Sequence, residues 1–170
     1  MSYPEPRYLG ENGDISALFR TSPPMREITT PSTDLHYLAT QDSTDGEFGL
    51  YRVDMGPKAP GAATHFHRSI SESFYILSGE ADLFDGERWV TAREGDFLYV
   101  PAGGLHAFRN DSDEMLSMLL LFSPGAPREE YFEQVAEYAR RGPEKLDAFQ
   151  MQHDSFFTGT GTGTGTGTDH

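Results

Sequence analysis

Gly61-Ala-Ala-Thr-His65-Phe-His67-Arg-Ser-Ile-Ser-Glu72-Ser-Phe-Tyr-Ile-Leu-Ser-Gly79 is the stretch on which the reading of this chain of 170 residues turns. It sets two imidazoles at i and i+2, which point to one face when the backbone is extended. After a short turn, Glu72 opens the next apolar run. A third imidazole stands further on, in Gly95-Asp-Phe-Leu-Tyr-Val-Pro101-Ala-Gly103-Gly-Leu-His106-Ala-Phe-Arg-Asn110. His65, His67, Glu72 and His106 together form a complete donor set for one divalent transition metal: Fe, Mn, Ni, Co, Cu or Zn. A fold has to bring His106 alongside the other three.

Working outward, short apolar or alternating runs follow one another from Asp34 onward, broken by Gly, Pro and Asp. Leu35–Ala39, Gly49–Met55, Ala63–His67, Ser73–Leu77, Glu80–Phe84, Arg88–Ala92, Phe97–Val100, His106–Asn110 and Met115–Phe122 each suit a strand. Asp85-Gly86 reads as a tight hairpin with positive φ at both central positions. Many short strands with no helix between them predict an all-β antiparallel sandwich or barrel over residues 34–124. Residues 1–33, rich in Pro, Ser and Thr, read as an irregular arm with a short strand or turn near Ile15–Phe19.

The period then changes. Pro127-Arg-Glu-Glu130 opens a helix, with Tyr131, Phe132, Val135, Tyr138 and Ala139 as its apolar stripe and Gly142 as its stop. A second short helix runs from Pro143 to about His153, so that residues 125–155 are helical and cover a barrel end or a sheet face rather than act in chemistry. The strict Gly-Thr repeat within residues 156–170 cannot bury a core and reads as a disordered tail.

Composition narrows the function. Thirteen Lys and Arg against 27 Asp and Glu leave a net charge of −14. That charge disfavours nucleic acid and anionic membrane surfaces. There is no cysteine, so a metal site has only nitrogen and oxygen donors to draw on. The N-terminus lacks an apolar signal core, and the most apolar run, Met115–Phe122, is too short to span a bilayer. The expectation is a soluble, cytoplasmic protein.

The two quoted stretches resemble the signature motifs of the cupin superfamily. His65, His67, Glu72 and Gly79 match the core of the first motif, and Gly95, Pro101, Gly103, His106 and Asn110 match the second. One position departs: where the family usually has a glycine six residues before the first histidine, this chain has Ala59, and the nearest glycine is Gly61. The resemblance covers roughly Leu35 to Pro124. It implies a double-stranded β-helix, the jelly-roll or cupin barrel, followed by one or two C-terminal helices. A metal would sit in the barrel interior on His65, His67, Glu72 and His106. More narrowly, the chain resembles bacterial quercetin-dioxygenase-like single-domain cupins, and cupins of this kind commonly pair as homodimers through edge strands.

Strand alternation puts Phe74 and Ile76 on the face of Glu72, and Phe108 and Asn110 on the face of His106. These residues, with Tyr51, are the expected substrate pocket. Tyr51 either faces the pocket or joins the core, and Asn110 either touches substrate or ties a strand end. The resulting expectation is a metal-dependent dioxygenase acting on a small aromatic or enolisable, flavonol-like substrate, with dioxygen as co-substrate and Glu72 as catalytic base. The alternatives are a non-redox metal-dependent isomerase, lyase or cyclase, and a cupin that binds a small ligand without turnover.

Overall fold

The computed structural model describes residues 3–22 and 25–158. Strands β1 (Ile28–Thr29), β2 (Thr33–Ala39), β3 (Gly49–Met55), β4 (His65–Phe66), β5 (Ser71–Ser78), β6 (Glu80–Phe84), β7 (Trp89–Arg93), β8 (Phe97–Val100), β9 (Ala107–Arg109) and β10 (Leu116–Ser123) come first. Helices α1 (Arg128–Arg140) and α2 (Pro143–Gln152) follow, and β11 (Phe156–Phe157) comes last.

One sheet has the order β1-β2-β3-β10-β5-β8, and a smaller one the order β7-β6-β9. All pairings are antiparallel. A reciprocal backbone pair between His65 and His106, 2.9 Å in each direction, sets β4 beside the segment that enters β9. The described part of the chain is thus a double-stranded β-helix with two C-terminal helices.

Alternation dictates the filling. In β3, Tyr51, Val53 and Met55 point inward, and Leu50, Arg52 and Asp54 lie half-buried between them. In β10, Leu116, Met118, Leu120 and Phe122 face the same interior. Burial of such side chains contributes roughly 1.5–3 kcal/mol each.

Two glycines meet needs no other residue fills. A Cβ on Gly79, at φ 79°, would lie 2.2 Å from the carbonyl oxygen of Met115. A Cβ on Gly61 would lie 1.9 Å from the carbonyl oxygen of Phe108. The close approach at the barrel lip therefore falls on Gly61, while Ala59 is simply buried and accepts from the amide of Asn110.

Three expectations differ from the structure. Ile15–Phe19 forms no strand or turn; the arm's only regular element among the described residues is β1. The Asp85-Gly86 connection is not a two-residue turn. It spans Asp85 to Arg88, because the Asp85 side chain accepts from the amides of Glu87 and Arg88, and of its first two residues only Gly86 has positive φ. The tail boundary also moves: Phe156 and Phe157, expected within the tail, pair with Phe66 and His65. The Gly-Thr repeat beyond residue 158 lies outside the described residues. Among the described residues, no helix is long and apolar enough to cross a membrane.

Candidate metal centre

β4, β5 and the approach to β9 deliver the four expected donors to one point. One ligand atom each from His65, His67, Glu72 and His106 lies within 4.8 Å of the other three, and all four residues are buried.

The outer nitrogens are held by backbone carbonyls. Nδ1–H of His65 donates to Ala63 (2.8 Å), that of His67 to Asp154 (2.5 Å) and that of His106 to Gly104 (3.0 Å). These acceptors select the Nδ1–H tautomer and turn each Nε2 lone pair inward. Nε2 of His67 then sits 3.1 Å, and Nε2 of His106 2.8 Å, from the same oxygen of Glu72. Two lone pairs and a carboxylate oxygen all accept; only a cation among them, a proton or a metal ion, satisfies them together. The donor set therefore fits a divalent metal of the nitrogen–oxygen class.

Electrostatics agree. Burial pulls His65 down to about 4, which keeps it neutral and ligand-ready. Burial would raise Glu72, but its contacts with His106 and His67, bridged by a proton where no metal ion sits, and the neighbouring imidazoles prevail and hold its carboxyl well below the usual range. For His106, burial acts downward and the contact with Glu72 upward, with a net rise.

A cavity of about 350 Å³ opens beside these donors, with His65 and Glu72 in its wall. Of the expected pocket residues, Phe108 lines it. Phe74 lies behind, its ring centred 6.0 Å from that of His106 and 5.6 Å from that of Phe108. Ile76 is buried deep in the core. Tyr51 packs edge-on against Tyr37, Phe122 and Phe132, and its hydroxyl donates to Glu129, so it belongs to the core. Asn110 donates to the carbonyls of Gly56 and Glu114 and accepts from Ser112, which ties the strand end. A larger cleft of about 720 Å³, between the N-terminal arm and the β2–β3 connection, holds none of the four donors.

The rest of the cavity wall is C-terminal. Arg128, Tyr131, Phe132 and Val135 of α1, Gln150 of α2, and Phe157 of β11 all line it. The helices cover a barrel end and also line the cavity beside the donors, where the expectation gave them no share in the chemistry. Asp154 accepts from the amides of Arg68 (3.0 Å) and Ser69 (2.8 Å), pinning the turn between His67 and Glu72. Sequence reasoning missed Arg128. Its one signal was a cation in the first turn of a helix, where the dipole favours acids such as Glu129 and Glu130.

A jelly-roll barrel with three histidines and a glutamate facing its interior defines a class. Residues 51–122 match the family model described as Cupin domain, which identifies that segment as a cupin domain. Among curated proteins it is similar to the quercetin 2,3-dioxygenase of Bacillus subtilis (strain 168), at 35% identity over 91 residues, 51% of this chain and 27% of that enzyme. It is also similar to an uncharacterized protein of Aquifex aeolicus (strain VF5), at 36% identity over 61 residues, 35% of this chain and 49% of that one. The chain thus spans between about a quarter and a half of the length of these relatives. Among solved structures, KdgF from Halomonas sp. superposes with a TM-score of 0.58 at 16% identity, over 68% of this chain and 99% of that one.

Proposed function

We propose that this cupin is a metal-dependent dioxygenase acting on a small aromatic or enolisable substrate. The observation that carries the reading is the convergence of four buried donors within 4.8 Å of one another, two of which, His65 and Glu72, face a largely apolar cavity. His65, His67, Glu72 and His106 would hold the ion. The partial likeness to a quercetin 2,3-dioxygenase supports the choice of reaction class. A divalent redox metal held there would lower the pKa of a substrate hydroxyl and bring substrate and dioxygen together.

The chain's own residues supply orientation and exclusion of water. Phe108, Leu120, Phe122, Phe132 and Val135 present an apolar wall to a flat substrate. Glu72 is a carboxylate at neutral pH. Its Oε2 takes a proton from a substrate hydroxyl when a contact with His67 or His106 is relinquished.

Oxygen uptake by protein loaded separately with Fe, Mn, Co, Ni and Cu, offered flavonols, β-diketones and catechols together with aryl and enolisable carboxylic acids, tests the reading. Consumption with at least one metal–substrate pair is expected. None with any pair, or full turnover with zinc under anaerobic conditions, overturns it.

A further inference from the structure

We propose that the guanidinium of Arg128 binds a carboxylate on the substrate, so that the cavity takes an aryl or enolisable carboxylic acid rather than a neutral flavonol. The inference rests on the reading of the barrel as a metal-dependent enzyme and names the substrate class of that same site.

Arg128 is only 4% exposed, yet no carboxylate lies within salt-bridge distance of it among the described residues. Its hydrogen bonds both leave from Nη1, to the carbonyl of His153 (2.8 Å) and the hydroxyl of Ser155 (3.2 Å). Its Nε is wholly buried and has no partner among the described residues. A buried cation with an unpaired donor is costly unless an anion completes it.

The rings of Tyr131, Phe122 and Phe132 surround the guanidinium at 4.3, 5.0 and 5.4 Å. Such contacts stabilise the charge in part. They do not supply an oxygen acceptor for Nε–H. The nearby acids are engaged elsewhere: Glu129 accepts from the Tyr51 hydroxyl, and Asp154 from the amides of Arg68 and Ser69.

Position and charge point the same way. Arg128 shares the cavity wall with His65 and Glu72, so an anion on the guanidinium sits in the same chamber as the metal donors. A divalent ion and Arg128 together outweigh the single negative charge of Glu72. A substrate carboxylate restores the balance, and an arginine fork matches its two oxygens. Phe108 and Val135 remain for its apolar body.

Calorimetric titration of the zinc-loaded full chain with cinnamate, and with its neutral isostere cinnamamide, tests the assignment. Cinnamate is expected to bind at least about tenfold more tightly, as a charge-assisted bidentate contact requires. Arg128→Met, which keeps the packing, should bring cinnamate down to the level of cinnamamide and leave zinc stoichiometry unchanged. Equal affinity for the two probes in the unmodified protein overturns the proposal. So does undiminished cinnamate binding in Arg128→Met, which would mean that zinc alone attracts the acid. Should that variant fail to fold, the metal-free unmodified protein decides: the preference for cinnamate should persist there, and its disappearance overturns the assignment. Zinc is redox-inert and no turnover is read, so the outcome stands apart from oxygen uptake.

Discussion

The ring of Phe157 stacks on the imidazole of His65, centroids 4.8 Å apart and planes within 16° of parallel. The two residues are also register partners between β11 and β4. A candidate ligand from the first motif is therefore held in place by the last strand of the described chain. Phe157→Ala is expected to weaken zinc or cobalt binding by about tenfold, the usual scale for a residue that orients a ligand from behind. Competition against a chromophoric chelator measures this, and an unchanged affinity would sink the idea.

Removing a donor should act more drastically. His65→Ala and His106→Ala are each expected to reduce bound metal to background while far-UV circular dichroism still reports the barrel. The buried apolar cluster that holds the barrel, with Val53, Ile76 and Met118 among its members, includes none of the four donors, which supports that expectation. Full metal content in both variants by elemental analysis would show the assignment to be wrong.

Asp154 adopts φ 54°, a conformation that Asp and Asn tolerate better than other side chains, while its carboxylate holds two amides of the turn after His67. Asp154→Ala therefore loses two hydrogen bonds and meets backbone strain, a loss of about 1–3 kcal/mol in urea unfolding. Asp154→Asn should lose less. If Ala and Asn prove equally harmless, the turn does not depend on this side chain.

The carboxylate of Asp54 provides a pH test away from the metal. Burial would raise its pKa, but its polar neighbours Ser117, Arg52 and His36 prevail, and it lies below the ordinary 3.8. A carboxyl depressed in the folded state stabilises above its unfolded pKa and loses that contribution as pH falls through the folded value. The melting-temperature gap between the unmodified protein and Asp54→Asn is expected to be widest near neutrality and to close below about pH 4. A gap that stays constant into strong acid would rule this out.

The antiparallel strands and the His65–His67 pair were legible because each rests on local pattern, whereas the closure into a double-stranded β-helix and the arrival of His106 beside the other donors were legible only through the resemblance to the cupin motifs. Two histidines at strand spacing need only an extended backbone, and Asp34–Phe122 alternates in step with the sheets that form. Alternation fixes a face but not a depth. Ile76 shares the inward face with Glu72 yet lies deep in the core, and Tyr51 turns inward only to meet Glu129 of a helix. Arg128, Asp154 and Phe157 were illegible for another reason. Their roles arise from long-range docking of α1, α2 and β11 over the barrel mouth, and no spacing within their own segments encodes that contact.

The returning segment also sets a timetable. The carbonyl that orients His67 and the strand that flanks His65 come from residues 154–157. During synthesis, both histidine motifs emerge from the ribosome well before the residues that orient His67 and stack on His65. The proposed metal thus finds a rigid coordination sphere only after translation has passed Phe157. Until then, His67 lacks the carbonyl that orients its ring, while His65 and His106 already have theirs in Ala63 and Gly104.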